Sequence, residues 1–274
     1  MEKVVTIAGS DSTGGAGLQA DLKTFEEYGV FGFSSMTSIV TMDPENGWSH
    51  EVTELSEDLL RKQLISVFAG GTIDALKTGM MGNEKNILVT SEFIEKHHVQ
   101  HVVIDPVIAC KGTAQILQPK SVVGIKEYLL PKAYVTTPNL VEAGILSGMG
   151  DLTSIEDMKQ AATIIHQLGA KHVVVKGGHR LGLDQAIDVF YDGKEFTVLE
   201  NELIPTDCNH GAGCTFAAAI TAGLAKGYSA KEAVILAKKF VAKAIEQGIR
   251  INPYVGHVWH GAYNQAENRM EESK

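Results

Sequence analysis

The chain has 274 residues, a formal net charge of −9, 44% hydrophobic residues and 21% charged residues. That balance excludes a general nucleic-acid binder, which needs a broad basic face, and no apolar run approaches the ~18–20 residues of a membrane-crossing helix. Cys110, Cys208 and Cys214 are an odd number without framework spacing, which favours free thiols in a reducing, cytoplasmic setting over disulfides. The N-terminus enters a strand pattern at once and has no signal-peptide architecture. No linker, low-complexity tract or repeat divides the sequence, so one α/β domain is expected over residues 1–263, followed by a polar, frayed tail over 264–274.

The first strand is VVTIAG (4–9), and the stretch GSDSTGGAGLQAD (9–21) leads into a helix over 15–28. Gly15 to Ala20 formally fit the G-x-G-x-x-A dinucleotide pattern, but five residues separate Gly9 from Gly15, whereas in that motif the first glycine follows the strand closely. A flexible connection and a site where a small polar ligand meets exposed backbone are the competing readings. Asp21 lies beside the apolar stripe Leu18, Leu22 and Phe25 by helical spacing. A carboxylate there needs a partner, either a protein donor or a ligand's hydroxyl or ring nitrogen.

GFSSMTSIVTM (32–42) reads as a further strand, then a helix over 56–69, the strand IDALKTG (73–79), a helix over 84–97 and the strand HVVIDPV (101–107). AYVTTP (133–138) is the next strand, with helices over 139–148 and 154–168. Strands this short, apolar throughout and ended by Gly or Pro are buried on both faces, and their alternation with helices implies a parallel sheet covered on both sides. In TTPNLVEA, Asn139 and Glu142 have capping-box spacing; the same pair could instead orient Mg²⁺, its waters and phosphate oxygens.

HVVVKGG (172–178) ends with Lys176 before two glycines, either a solvated sheet-edge lysine or a phosphate clamp. Residues 184–203 read as antiparallel strands around Asp192-Gly193, and helices over 211–226 and 229–250 close the domain. Lys238 falls near the buried stripe of that last helix, where it either snorkels or touches a nucleotide. Cys208, His210 and Cys214 lack a fourth ligand, and His257 and His260 are an isolated pair, so no zinc site is expected. In HGAGCT, Gly211 and Gly213 free the backbone at a helix N-terminus, a ready anion site that also lowers a thiol's pKa. Cys214 is then either a small buried residue or a thiolate beside a bound phosphate. All these strand ends can face one crevice, where open α/β sheets bind ligands.

Taken in order, AGSDSTGGAGLQADLKTF, KTGMMGN, IDPV, TPNLVEA, VVVKGGH and HGAGCT resemble the ribokinase-like vitamin kinases over almost the whole chain. These are the hydroxymethylpyrimidine (phosphate) kinases of thiamine synthesis and their dual-cysteine relatives, bacterial pyridoxal kinases. The resemblance implies a ribokinase-like fold, a homodimer, and transfer of the γ-phosphoryl of ATP, with Mg²⁺, to a hydroxymethyl group on a six-membered nitrogen heterocycle. Carried over by motif, Gly211 and Gly213 with His210 form the anion hole, and Cys214 takes the place of the aspartate base of sugar-kinase relatives. Asn139, Lys176, Gly177, Gly178, His179, Arg180 and Gly213 serve ATP, joined by Asp188 and Lys238, and Glu142 serves Mg²⁺. Gly9, Ala16, Asp21, Met80, Val107 and Cys110 line the substrate pocket.

Two departures separate the branches: Met42 stands where the pyrimidine kinases typically carry glutamine, and they typically lack a cysteine at Cys110. Because thiols add reversibly to aldehydes, Cys110 is expected to capture pyridoxal as a hemithioacetal under a closing loop; a surface-loop cysteine with no role is the bland reading. The leading expectation is phosphorylation of the 5'-hydroxymethyl of pyridoxal, extending to pyridoxine and pyridoxamine, in vitamin B6 salvage. Hydroxymethylpyrimidine (phosphate) kinase is the alternative, and a non-catalytic binding protein or thiol redox sensor is the contender from another class.

Overall fold

Consecutive valines and isoleucines in the short apolar runs leave the backbone on opposite faces of a sheet, so each strand feeds two cores. A computed structural model describes residues 1–108 and 119–265. In chain order it shows β1 (Lys3–Asp11), α1 (Gly17–Glu27), β2 (Phe31–Asp43), β3 (Ser49–Glu54), α2 (Glu57–Ala69), β4 (Ala75–Thr78), α3 (Glu84–Lys96) and β5 (His101–Ile104). After the undescribed segment come α4 (Pro119–Gly124), β6 (Val135–Thr136), α5 (Leu140–Ser147), α6 (Ile155–Gln167), β7 (His172–Gly178), β8 (Gln185–Tyr191) and β9 (Phe196–Glu202). The chain closes through β10 (Cys208–His210), α7 (Ala212–Ala225), α8 (Ala230–Glu246), β11 (Ile249–Arg250) and β12 (Gly256–His257).

Among the described residues the strands form a nine-stranded sheet in the order β3-β2-β1-β4-β5-β6-β7-β8-β9 and a small sheet β10-β12-β11. From β2 to β7 the pairing is parallel, and β3, β8 and β9 add antiparallel edges. This is the expected mostly parallel sheet with helices on both faces. Val5, Ile7, Leu76, Val102, Ile104, Val173 and Val175 pack in the layer of α2 to α6. Their neighbours Val4, Ala75, Val103 and Val174 pack in the layer of α7 and α8.

α7 is buried along most of its length. Every residue from Thr215 to Leu224 is buried, and the helix lies against α1, α8, β1, β4 and β5. Small side chains permit that approach: a Cβ at Gly223 would stand 3.1 Å from the Cβ of Ala233.

Several features depart from the sequence reading, the small sheet β10-β12-β11 among them. β3 is a polar, largely exposed strand, so it carries little of the apolar pattern that marks a strand. α4 and the helical turns through Lys132 precede β6 in a stretch for which no element was expected. α8 stops at Glu246 rather than continuing to residue 250, because Gly248 must pass close to Cys208, where any Cβ would stand 2.5 Å from the cysteine Cβ. Asn264 is anchored to Glu27, its Nδ2 donating to the Glu27 carbonyl at 2.8 Å; residues 266–274 of the expected tail lie outside the described residues.

Gly144 within α5 provides a test of packing against propensity. Alanine is intrinsically worth about 1 kcal/mol more than glycine inside a helix, but a Cβ at Gly144 would be driven into the carbonyl oxygen of Gly150. Gly144→Ala should therefore lower stability in equilibrium urea unfolding; a gain in stability would refute the packing argument.

Candidate active site

A cleft of about 1120 Å³ opens where β1, β4, β5 and β7 end and α7 begins. Gly9, Ala16, Met80, Val107, Asn139, Glu142, Lys176, Gly177, Gly178, His179, Arg180, Asp188, His210, Gly211, Gly213, Cys214 and Lys238 all line it. Asp21 does not, and Cys110 lies outside the described residues.

The N-terminus of α7 is set by contact between two glycine loops. Gly211 is its N-cap at φ +87°, and a Cβ there would strike the carbonyl oxygen of Gly15. No side chain caps the helix, so its first N–H groups are available to an anion, as helix geometry dictates. Asp11 ties the facing loop together: one carboxylate oxygen accepts from the N–H and hydroxyl of Thr13, the other from the N–H of Ala16. His210 Nε2 lies 2.8 Å from that second oxygen. Burial works to raise the Asp11 pKa, but the hydrogen bonds from His210 and Thr13 hold it well below the usual carboxylate range. His210 thus joins the two loops, a clamping role that the motif alone did not suggest.

Lys176 reaches the same spot from β7. Its Nζ lies 3.0 Å from Asp105 Oδ1, and a Cβ at Gly213 would stand 3.5 Å from that Nζ. Gly177 is required because a Cβ would meet the Ile187 carbonyl at 2.5 Å. Asn139 and Glu142 form a complete capping box on α5, and both also border the cleft. Burial pushes the Glu142 carboxyl up to about 7, with Asp105 adding to the shift and Lys176 and the N–H groups of Asn139 and Ile108 opposing it. Lys238 Nζ donates to Asp188 Oδ2 at 2.7 Å, while Asp188 Oδ1 accepts from the Gly177 N–H. The two residues expected at the nucleotide are therefore partners.

Cys214 corrects an expectation. A helix N-terminus lowers a thiol's pKa, yet burial pushes this one up to about 11, with Lys77 and the Gly17 N–H pulling down and Asp21 and Asp105 adding to the rise. Asp21, expected at the substrate, is wholly buried; it accepts from Thr6 Oγ1 at 2.6 Å and Lys77 Nζ at 3.0 Å. It stands behind Lys77, which does line the cleft. The pairings of Lys77 with Asp21 and of Asp105 with Lys176 were missed; for Lys77, a lysine in a short, buried strand was the available signal. Met42 pairs across the β2–β3 ladder with His50, which lines the cleft and stacks on His210 with ring centroids 6.2 Å apart.

The family model for phosphomethylpyrimidine kinase matches residues 11–259. The pyridoxine kinase of Bacillus subtilis is 49% identical over 96% of this chain and 97% of its own. The Staphylococcus aureus pyridoxal kinase in complex with AMP-PCP and pyridoxal superposes with a TM-score of 0.91 at 52% identity, covering 97% of this chain and 95% of that one. The hydroxymethylpyrimidine/phosphomethylpyrimidine kinase of B. subtilis is 41% identical, covering 96% of both chains.

Two outcomes test this geometry. Glu142 binds its proton more tightly folded than unfolded, so its contribution is fullest below its ordinary pKa near 4.5 and is lost as pH rises through about 7. Between pH 5 and 7 the unliganded protein should lose stability relative to Glu142→Gln, by at most about 1.4 kcal/mol per pH unit; parallel melting curves across that range would contradict the assignment. Gly211→Ala should abolish tight binding of a nucleotide, read by calorimetry, because the two loops must separate to admit the methyl group.

Proposed function

The chain belongs to the phosphomethylpyrimidine kinase family, and we propose that it phosphorylates the 5'-hydroxymethyl group of pyridoxal, with pyridoxine and pyridoxamine as further acceptors, in vitamin B6 salvage. The observation that carries this reading is the likeness, over 97% of the chain, to a pyridoxal kinase structure holding AMP-PCP and pyridoxal. A hydroxymethylpyrimidine acceptor is the second reading, favoured by the family description and by the 41% identical relative. Met42 and Cys110 weigh against it.

Phosphoryl transfer is mostly positioning and charge stabilisation, and the cleft supplies both. The N–H groups at the start of α7 and Lys176 take the transferring phosphoryl, while Lys238, Asp188 and the turn from Gly177 to Arg180 hold the nucleotide. Gly9, Ala16, Met80 and Val107 form the acceptor side. Mg²⁺ suits the donor set, because Glu142 and Asp105 offer carboxylate oxygens that phosphate and water would complete; when bound it would neutralise charge on the phosphates.

Cys214 receives the proton of the acceptor hydroxyl. Its raised pKa makes the thiolate a minor species at neutral pH, so turnover should climb on the alkaline side. Cys110 traps the aldehyde: sulfur bonds to the carbonyl carbon and the thiol proton passes to the carbonyl oxygen. The enzyme works as a cytoplasmic homodimer, in line with the family resemblance; no helix among the described residues is long and apolar enough to cross a membrane.

Steady-state ADP release with Mg²⁺-ATP should be fastest with pyridoxal or pyridoxine and slower with hydroxymethylpyrimidine; the reverse order would select the second reading. Cys214→Ala should lower kcat by about 10²–10⁴-fold, and Lys176→Ala by about 10²–10³-fold. Cys110→Ala should impair pyridoxal more than pyridoxine, which has no aldehyde, and equal losses would end the capture idea.

A further inference from the structure

His257 and His260 are both buried, and nothing in the reaction as set out above uses either of them. Backbone pairing places them. β12 runs beside β10 with His257 opposite His210, and the Val258 N–H donates to the His210 carbonyl. The Trp259 N–H donates to the Ala244 carbonyl of α8 at 2.8 Å. His260 is thereby held behind the first turn of α7, where its Nε2 lies 3.0 Å from Thr215 Oγ1. His257 Nε2 has no hydrogen-bond partner among the described residues, whereas His260 is joined to the helix.

The direction of that bond follows from the proton count. Thr215 Oγ1 donates its one proton to the Gly211 carbonyl at 2.8 Å, so from the imidazole it can only accept. Burial, with Lys23 and His257 adding to it, pulls the His260 pKa down to about 4. The ring is then neutral, with its one proton on Nε2. Donation runs from His260 Nε2–H to the Thr215 hydroxyl and on to the Gly211 carbonyl. A threonine bonding back one turn is ordinary in a helix, and Thr221 does the same to Ala217 at 2.8 Å. Thr215 differs in having a buried imidazole behind it and the N-cap carbonyl before it. That carbonyl already accepts the Thr215 N–H at 2.9 Å, so the hydroxyl is a second donor on one oxygen.

What the second donor reaches is the far end of the same peptide. The Gly211 carbonyl and the Ala212 N–H share one rigid plane. Ala212 is the first residue of α7 and lines the cleft, and an N–H at that position has no partner within the helix. Two donors on the oxygen fix the plane, although Gly211 itself sits at φ +87°. Hydrogen bonds in series also polarise one another, which makes the N–H a stronger donor. We propose that His260 is a positioning residue for the phosphoryl site: through Thr215 it holds the Gly211–Ala212 peptide with its N–H aimed into the cleft. This rests on the kinase reading above. His260 touches neither nucleotide nor acceptor and acts through Thr215 alone.

Deleting an oxyanion donor costs about 10²–10³-fold in kcat, so weakening one from behind should cost less, about tenfold for Thr215→Val. The KM for ATP should move by less than about twofold, because the interaction belongs to the transition state. His260→Phe keeps a ring and loses the donor; it should match Thr215→Val, and the double variant should be no slower than either, since both cut one chain. His260→Gln presents an amide N–H in place of Nε2 and should recover most of kcat. In the unliganded chain with isotope-labelled alanine, the Ala212 amide resonance should move in His260→Phe and return in His260→Gln. Losses that multiply in the double variant, a KM that rises as kcat falls, or full kcat in every folded variant would overturn the proposal. Thermal melts identify the folded variants, and the nearly isosteric Thr215→Val carries the test if the ring replacement does not fold. The resonance needs neither nucleotide nor acceptor, so the two readings fail separately. A moved resonance without ADP release from the unaltered chain would support the relay and refute the kinase reading. ADP release with an unmoved resonance and unchanged kcat would refute the relay alone.

Discussion

Helix α7 must lie flat against the sheet for this protein to have a site at all. Its run of alanines and glycines leaves little between helix backbone and strands, so its N-terminus arrives level with the ends of β1, β4 and β5. Two loops that are far apart in sequence then touch at Gly15 and Gly211, where a single methyl group would not fit. The Asp11–His210 contact locks that junction. Uncapped N–H groups, the Lys176 ammonium and the Cys214 thiol are brought together by this one packing arrangement.

Three lysines that border the cleft are each paired with an aspartate. Lys77–Asp21, Lys176–Asp105 and Lys238–Asp188 close at 3.0, 3.0 and 2.7 Å, each with little or no solvent exposure. An acidic chain can therefore present a site for a polyanion without a broad basic surface, because three of its lysines there are internal and already paired. Folding bears the desolvation cost of these pairs. In return their geometry is set before any ligand arrives, and dipoles that need not reorganise are what stabilises charge in a transition state.

Much of the site was legible because motif residues follow strand ends, and a strand end in a parallel sheet has a known place. Gly9, Met80, Val107, Asn139 and Lys176 border the cleft for that reason. For Asn139 and Glu142 the capping box is formed as its spacing predicts, and the same two residues front the cleft. Asp21 and Cys214 were harder. Helical spacing showed that Asp21 needed a partner but could not say that Lys77, from a strand more than fifty residues away, would be it. The two readings of Cys214 could not be told apart along the chain, because the helix N-terminus is a local effect, whereas desolvation of the thiol comes from elements remote in sequence.

By itself the sequence determined the alternation of strands and helices, the two-faced burial of the sheet, and which residue types would gather at the strand ends; these follow from periodicities of two and 3.6, which are properties of adjacent residues. Only the tertiary structure decided which lysine meets which aspartate, that His210 clamps a loop, that Asp21 stands behind the cleft rather than in it, and that Cys214 is a half-buried thiol on the cleft wall. Those outcomes depend on distances between segments remote in sequence and on how much water the packing excludes, and neither is encoded in the order of neighbours along the chain.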